Sequence, residues 1–250
     1  MIQLKNQNQL AIMRDAGRIT GEALLLAGER IKPGVSAKEL DDTIRRYIRQ
    51  NGAQPSFLGY DGFPASACIS INDQVIHGIP TSKVILKDGD IVKIDVGAHY
   101  KGFHGDSART FACGNISDEA KRLIKATEEC FWCAVEKLAP GARLGDVGYA
   151  IESRAKADGF SVVRKYIGHG VGVDLHEEPD VPNYGTPGRG LRLSSGMTIA
   201  IEPMVCEKSG EVKVLPDGWT VVTADGGISA HYEHTVAITD NGPLVLTKVD

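Results

Sequence analysis

The sequence predicts an α/β (α+β) protein built from two related halves, and two observations support this prediction. First, each half contains two amphipathic helical segments followed by strand-like segments. Second, landmarks recur 107 residues apart, at Pro33 and Pro140, Gly52 and Gly159, and Leu86 and Leu193. A duplicated unit explains three matches in one frame, whereas the alternative is coincidence between two generic helix and strand units.

The first half opens with a helix pair. Ile12, Ile19, Ala23 and Leu26 have helical spacing and predict a helix from about Asn8 to Arg30. Residues 36–39 read Ser-Ala-Lys-Glu, a capping box in which the Ser and Glu side chains satisfy free amides, so a second helix begins there. This helix is expected to stop near Asn51 and Gly52, and a strand to follow at residues 67–71.

The segment 86–111 organises the rest of the chain. β-Branched residues surround Asp95 in a run typical of a strand that is buried on both faces. A turn near Lys101 and Gly102 would bring Asp106, on the next strand, towards Asp95. Two buried carboxylates repel each other, so the hairpin alone predicts either one raised pKa or a bound metal ion.

The second half repeats this order. Helices are expected from about Ser117 to Leu138 and from about Leu144 to Asp158, and a strand from Ser229 to Ile238 contains Glu233. Glu202 lies 107 residues after Asp95 and also interrupts an apolar run. If the halves pack about a pseudo-twofold axis, these two carboxylates meet at the centre of the molecule.

Four carboxylates and one imidazole are therefore candidates for one site: Asp95, Asp106, His169, Glu202 and Glu233. His169 stands between glycines in the segment Gly-His-Gly-Val-Gly; alone, such a residue is more often a hydrogen-bonded histidine than a ligand. Four anions together need cations, and two divalent metal ions about 3.5–4 Å apart would neutralise them and activate water. Oxygen-rich ligation suits Mn, Fe(II), Co or Zn equally well.

Composition narrows the class of protein. The 250 residues are 42% hydrophobic and 24% charged, and the net charge of −4 argues against a nucleic-acid partner. The N-terminal residues lack the apolar core of a signal peptide, and no run is long enough to cross a membrane, so we expect a cytoplasmic protein. Five cysteines at irregular spacing suit reduced thiols, and the Cys130 to Cys133 motif falls in a helix rather than in a redox or zinc site.

Four motifs after the aspartate hairpin carry a family resemblance: Gly-His-Gly-x-Gly, His-Glu-Glu-Pro, Ile-Glu-Pro and Tyr-Glu-His-Thr. In this order they resemble the methionine aminopeptidases, and the likeness extends over almost the whole chain. The resemblance implies the pita-bread fold, with a central, mostly antiparallel sheet covered by helix pairs. It also implies a single catalytic domain over 1–250, with halves of about 1–114 and 115–250. Only 25 residues separate His176 from Glu202, which resembles the short type I form.

The resemblance also implies roles for individual residues. Asp95 would chelate one metal ion, His169 and Glu202 would belong to the other, and Asp106 and Glu233 would bridge both. A hydroxide bridging the metals would attack the peptide, and Glu202 would shuttle its proton. His176 would donate to the scissile carbonyl oxygen, and His77 would contact the scissile amide or the second residue.

The methionine pocket of the family corresponds here to Phe57, Tyr60, Phe63, Cys68, Leu175 and Trp219. Read without the resemblance, these are apolar loop residues of the kind that cap a core. Leu175 stands where the family commonly has an aromatic residue, and Phe57 where it often has a smaller one. The expected substrates are nascent peptide N-termini with a small second residue, near the ribosome, and the expected state is a monomer.

Three rival functions follow from the same residues. Aminopeptidase P and prolidase relatives usually carry an additional N-terminal domain, for which this chain leaves no room. A catalytically inactive pita-bread binding protein predicts substituted ligands, whereas all five candidates are present. A two-metal phosphoesterase would need a phosphate clamp, for which Lys93, Lys101 and Arg109 are the candidates.

Overall fold

The computed structural model of the chain describes residues 2–249, so Met1 and Asp250, the ends of the expected domain, lie outside the described residues. The helices are α1 (Gln7–Gly28), α2 (Ala37–Gln50), α3 (Asp118–Val135) and α4 (Leu144–Ala157), with one 3₁₀ turn at Tyr60–Gly62. The strands of the first half are β1 (Gln54–Pro55), β2 (Ala67–Ile71), β3 (Gln74–Ile76), β4 (Ile91–Tyr100) and β5 (Phe103–Ala112). Those of the second half are β6 (Ser161–Val162), β7 (Gly168–Gly170), β8 (Glu177–Val181), β9 (Thr198–Ile201), β10 (Met204–Cys206), β11 (Val212–Val214), β12 (Val221–Thr223), β13 (Ser229–His231), β14 (Glu233–Thr239) and β15 (Gly242–Val245).

The two helix pairs follow the 107-residue repeat. Helices α2 and α4 each have 14 residues, and every position of one lies 107 residues from its counterpart. Two isolated strand bridges, Ser36 with Ile85 and Arg143 with Arg192, have the same offset. The capping box predicted at Ser36 and Glu39 is present, because each residue binds the backbone amide of the other. The prediction of a duplicated helix pair is confirmed.

The main sheet has nine antiparallel strands. Its central path runs β1, β4, β5, β14, β9, β7 and β8, while β2 pairs with β4 and β15 pairs with β14. The halves join where β5 of the first meets β14 of the second, with Ala108 opposite Glu233. Strands β4 and β9 flank this seam, in the arrangement that a pseudo-twofold axis requires.

Each helix pair covers one half of the sheet with its own apolar core. In the first half Val92, Ile94 and Val96 of β4 pack with residues of α1 and α2. In the second half Ile199 and Ile201 of β9 pack with residues of α3 and α4. Because side chains alternate along a strand, the odd-numbered residues of β4 are left for the opposite face of the sheet.

Two backbone features shape the central hairpin of β4 and β5: its turn and its close approach to α1. Lys101 and Gly102, with φ of 47° and 85°, form the predicted turn between β4 and β5. At Gly105 an added Cβ would lie 2.8 Å from the Cα of Gly17 in α1. The absence of a side chain at Gly105 therefore allows β5 to approach α1 this closely.

One predicted strand is wrong in its extent. The segment expected as one strand from Ser229 to Ile238 divides at Tyr232 into β13 and β14, and Glu233 is the first residue of β14. Strand β13 belongs to a separate three-stranded sheet with β10 and β6. A third sheet joins β11, β12 and β3. Among residues 2–249, none of the helices combines the length and apolar character needed to cross a bilayer.

Candidate metal centre

Strand register brings the five candidate ligands to one face of the main sheet. Ala108 of β5 lies between Asp95 of β4 and Glu233 of β14, and paired residues point to the same face. Its side chain is small, so the flanking carboxylates converge above it. Asp106 lies two residues before Ala108 and therefore shares this face, opposite Gly97 and diagonal to Asp95.

The second half supplies the other two candidates. Glu202 directly follows β9, whose last residue, Ile201, pairs with His234. This register continues the row of carboxylates from Glu233 to Glu202. His169 lies at the centre of β7, the neighbour of β9 in the sheet.

The side-chain atoms of this group lie close enough to share cations. Donor atoms of Asp106, His169 and Glu233 all lie within 4.8 Å of one another. His169 Nε2 lies 3.6 Å from Glu202 Oε1 and 3.9 Å from Asp106 Oδ2. Asp95 and Glu202 line the same cavity as these three residues.

Hydrogen bonds outside the cluster orient its members. The Asp106 amide donates to the Thr235 hydroxyl at 3.0 Å, which in turn donates to the Asp106 carbonyl at 2.9 Å. Asn183 Nδ2 donates to the Glu202 carbonyl oxygen at 3.0 Å. His169 Nδ1 lies 2.8 Å from the Gly170 carbonyl oxygen, which can only accept, so Nδ1 carries the proton. The Nε2 lone pair of His169 consequently faces the carboxylates, as ligation requires.

Without cations, the four carboxylates of the cluster would repel one another if all were ionised. Burial, followed by repulsion from Asp106, raises the pKa values of Asp95, Glu202 and Glu233 well above their ordinary range. Burial also raises the pKa of Asp106 to about 7 and lowers that of His169 to about 3. Each shift expresses the cost of charge in an apolar sheet, and opposing cations would remove that cost.

Unpaired atoms show that the donor set fits metal ions. Among the described residues, the buried atoms Asp95 Oδ1, Asp106 Oδ1 and Glu233 Oε1 have no hydrogen-bond partner. Buried polar atoms are nearly always paired, and three carboxylate oxygens without partners, on residues that line one cavity, indicate a site for a cation. Four carboxylates with one imidazole form a hard, oxygen-rich set that suits divalent first-row metals.

Beside the carboxylates lies an apolar wall, and together they enclose a cavity of about 200 Å³. All of the site residues expected from the sequence line it: Phe57, Tyr60, Phe63, Cys68, His77, Asp95, Asp106, His169, Leu175, His176, Glu202, Trp219 and Glu233. Phe57, Phe63, Cys68 and Leu175 are buried in one small apolar cluster, and Trp219 packs edge-on against Phe63 at 5.1 Å. The cavity therefore has a charged side and an apolar side.

Two further histidines, His77 and His176, line this cavity. His176 Nδ1 lies 2.7 Å from the Tyr60 hydroxyl, and its ring lies 4.1 Å from that of His169. His77 adopts a left-handed backbone conformation, with φ of 58°, and its ring meets Trp219 and Tyr166 edge-on. Burial lowers the pKa of both rings, that of His77 to about 4, so both are neutral at physiological pH.

Two residues of the site are absent from the sequence prediction. Asp61 lines the cavity from the 3₁₀ turn and partly offsets the effect of burial on the pKa of His176. The sequence offered a signal for Asp61, because it directly follows Tyr60, a residue already expected in the site. His231 is buried with Nε2 3.6 Å from Glu202 Oε2. Its signal was the two-residue spacing to Glu233, which the break at Tyr232 complicates.

The cations considered for a phosphate clamp serve other contacts. Lys93 Nζ donates to the carbonyl oxygens of Asn72 and Ser229, at 2.6 and 2.8 Å. Lys101 lies in the hairpin turn, and Arg109 lies 3.9 Å from Glu128. None of the three is among the described residues that line the cavity, so the phosphoesterase hypothesis loses its clamp.

Comparison with known proteins agrees with this geometry. A family model described as metallopeptidase family M24 matches residues 11–240. The chain is 56% identical over 249 residues to a methionine aminopeptidase of Clostridium perfringens, and 52% identical over 249 residues to methionine aminopeptidase 1 of Bacillus subtilis. Both alignments cover 100% of each chain. The solved structure of a methionine aminopeptidase from Thermotoga maritima superimposes with a TM-score of 0.98 at 43% identity, covering 100% of both chains.

Proposed function

The chain belongs to metallopeptidase family M24, and from this premise we propose that it removes the N-terminal methionine from peptides with a small second residue. It is a metal-dependent aminopeptidase that hydrolyses the first peptide bond. Curated relatives named methionine aminopeptidase match its whole length at 56% and 52% identity, which supports this substrate over other peptides.

One observation carries the proposal: the cavity joins a cluster of partnerless carboxylates to an apolar wall. A peptide N-terminus has complementary features, an amine and a scissile carbonyl beside one side chain. In the proposed arrangement the amine and carbonyl face Asp95 and its neighbours. The methionine side chain packs against Phe63, Cys68 and Trp219, and its flexible thioether suits such an irregular apolar surface.

Two divalent metal ions are proposed as the cofactors, with Co, Mn, Fe(II) and Zn as candidates. Asp95 would hold one ion, His169 and Glu202 the other, and Asp106 and Glu233 both. Bound divalent ions polarise a carbonyl and lower the pKa of water to near neutrality. The proton of His169 stays on Nδ1, which donates to the Gly170 carbonyl oxygen, so Nε2 is free for ligation.

Protons are handled by Glu202 and His176 in this proposal. A carboxylate oxygen of Glu202 accepts the proton that the attacking water loses and delivers it to the departing amine nitrogen. His176 Nδ1 lies 2.7 Å from the Tyr60 hydroxyl, and we assign the hydroxyl as the donor, which leaves the proton of that ring on Nε2. From Nε2, His176 donates to the carbonyl oxygen as negative charge develops on it.

Selectivity for the chain end follows from the charged side of the cavity. A free amine can donate its lone pair to a cation held by Asp95, whereas an acylated nitrogen cannot. His77 lines the cavity and packs edge-on against Trp219. We place the second residue of the peptide against the His77 ring, where a small side chain is accommodated best.

The test is the release of methionine from a Met-Ala peptide by the purified, metal-loaded protein, with N-acetyl-Met-Ala peptide as the matched substrate. Release from the free peptide alone is expected. Equal cleavage of both peptides would contradict binding of the amine at the charged side, and cleavage of neither would contradict the proposed activity. Leu-Ala peptide serves as the control for the apolar pocket.

The cellular setting is also part of the proposal. Nascent peptides near the ribosome are the proposed natural substrates, since they present N-terminal methionine. We place the protein in the cytoplasm as a monomer. Sedimentation of the purified protein and its distribution between ribosomal and free fractions test these assignments.

A further inference from the structure

His231 is a buried imidazole that faces the candidate metal centre from outside the five expected ligands. It ends β13 and is 1% exposed. Its Nε2 lies 3.6 Å from Glu202 Oε2 and 3.9 Å from Glu233 Oε2. The side chain therefore approaches two of the proposed ligands at once.

His169 approaches the centre in a parallel way. Its Nε2 lies 3.6 Å from the other Glu202 oxygen, Oε1, and 3.9 Å from Asp106 Oδ2. Glu202 thus stands between two imidazoles, one facing each carboxylate oxygen. Distances alone do not distinguish the two histidines, but their second ring nitrogens do.

The difference lies at Nδ1. His169 Nδ1 donates to the Gly170 carbonyl oxygen, so its Nε2 bears the lone pair of a ligand. In the described part of the chain, neither ring nitrogen of His231 has a hydrogen-bond partner, but Nε2 faces carboxylate oxygens of Glu202 and Glu233 at 3.6 and 3.9 Å. A buried N–H without an acceptor costs more than an unused lone pair, so the proton of His231 belongs on Nε2.

We propose that His231 is a positioning residue of the metal centre, which directs its Nε2–H at the Glu202 and Glu233 carboxylates and is not itself a ligand. The inference rests on the proposed function, because it assumes that these carboxylates hold metal ions. Both separations exceed a hydrogen bond, and we expect them to shorten in the loaded protein, as contacts at catalytic sites commonly do. Groups that orient ligands in this way typically change metal affinity about 10- to 100-fold.

The experiment compares His231→Phe with His231→Gln. Phenylalanine keeps the ring and removes the N–H, whereas the glutamine amide can place a donor near the former Nε2. Each full-length protein is stripped with a chelator and titrated with Co²⁺ in a calorimeter. The Phe variant should bind Co²⁺ about 10- to 100-fold more weakly, and the Gln variant should recover most of the affinity.

Visible absorption of the Co²⁺-loaded proteins separates positioning from ligation. A positioning role predicts that the Phe variant, at saturating Co²⁺, keeps the band positions of the parent protein. Loss of a nitrogen ligand would shift these bands and overturn the inference. Undiminished Co²⁺ affinity in the Phe variant would overturn it too, while absence of Co²⁺ binding by the parent protein would overturn the proposed metal centre itself.

A measurement on the unsubstituted protein covers the case in which the Phe variant does not fold. Imidazole ¹⁵N chemical shifts in the Zn²⁺-loaded protein report which nitrogen carries the proton, and the His231→Gln spectrum identifies the resonances. The Nε2–H tautomer is expected for His231 and the Nδ1–H tautomer for His169. An Nδ1–H tautomer at His231 would leave Nε2 without a proton to direct at the carboxylates and would contradict the proposal.

Discussion

Asp41 and Asp106 are both buried aspartates, with 1% and 3% exposure, but their carboxylates have opposite surroundings. Asp41 Oδ1 accepts from the amides of Ser66 and Ala67, at 2.7 and 3.1 Å. Its Oδ2 lies 3.3 Å from both Arg45 and Lys38. Asp106 Oδ1 is buried with no hydrogen-bond partner among the described residues.

The difference separates two reasons for burying a carboxylate. The Asp41 carboxylate accepts hydrogen bonds from the backbone amides of Ser66 and Ala67, where the loop meets β2. Because its partners come from the protein itself, its burial stabilises the fold. Asp106 joins three other carboxylates whose charges repel it, so its burial destabilises the fold until cations arrive. Hydrogen-bond satisfaction, rather than burial, distinguishes a structural carboxylate from a candidate ligand.

Replacing Asp106 or Asp41 with asparagine should give the largest contrast in activity and stability between the two sites. Asp106→Asn removes one charge from the cluster at almost constant side-chain volume. It should lower kcat/KM for a Met-Ala peptide on the order of 10³-fold or more, because a ligand to both proposed metal ions is lost. The metal-free variant should be more stable than the metal-free parent by about 1 kcal/mol or more, since repulsion is relieved. Steady-state kinetics and urea unfolding measure the two effects.

Asp41→Asn is the matched control for this prediction. It should lower the free energy of unfolding, because a charge-assisted acceptor becomes a neutral one, and leave kcat/KM nearly unchanged. Destabilisation of the metal-free protein by Asp106→Asn would show that its carboxylate is paired like that of Asp41.

Added metal ions should stabilise the folded protein by binding at the Asp106 cluster and not at Asp41. At a metal concentration of 100 Kd the folded state gains about 2.7 kcal/mol, which corresponds to a rise in Tm of about 5–10 °C for a chain of this size. Differential scanning calorimetry with and without Mn²⁺ measures this gain. The Asp41→Asn protein should show the full shift and the Asp106→Asn protein a reduced one, and equal shifts would place metal binding elsewhere.

Much of the fold was predictable because the repeat is visible in the sequence. The landmark residues Pro33, Gly52 and Leu86 recur at one offset, and local signals such as the Ser36 capping box fix helix starts. The break at Tyr232 was not predictable, because apolar alternation continues through it. It arises from pairing: β13 pairs with β10, whereas β14 pairs with β5 and β9, so the chain changes sheets within one residue.

The residues of the candidate site also divide into those that the sequence predicts and those that it does not. Asp95 and Glu202 stand out because a charge inside an apolar run needs a partner, and their equivalence follows from the repeat. The apolar wall came from family resemblance, since loop residues such as Phe63 carry no periodic signal. His231 was missed because its sequence signal, the two-residue spacing to Glu233, does not reveal how close its ring lies to Glu202 and Glu233.

Asp41→Ala should lower the free energy of unfolding by about 2 kcal/mol, because the buried amides of Ser66 and Ala67 lose their acceptor. Turnover of a Met-Ala peptide at 25 °C should stay within about threefold of the parent, since Asp41 lies outside the residues that line the cavity. Urea unfolding and steady-state kinetics check both statements. A stability loss below about 0.5 kcal/mol would mean that water replaces the carboxylate, and Asp41 would then not be a structural counterpart to Asp106.

Lys38→Met should produce the smallest effect, a loss of less than about 0.5 kcal/mol, because the lysine is 38% exposed and a solvated ion pair contributes little. A double-mutant cycle with Asp41→Ala, measured by urea unfolding, isolates the coupling between the two side chains. A coupling as large as the whole effect of Asp41→Ala would mean that Asp41 is buried for a cation rather than for the backbone amides. Asp41 and Asp106 would then differ only in whether their cation is a lysine or a metal ion, and the hydrogen-bond criterion that separates them would fail.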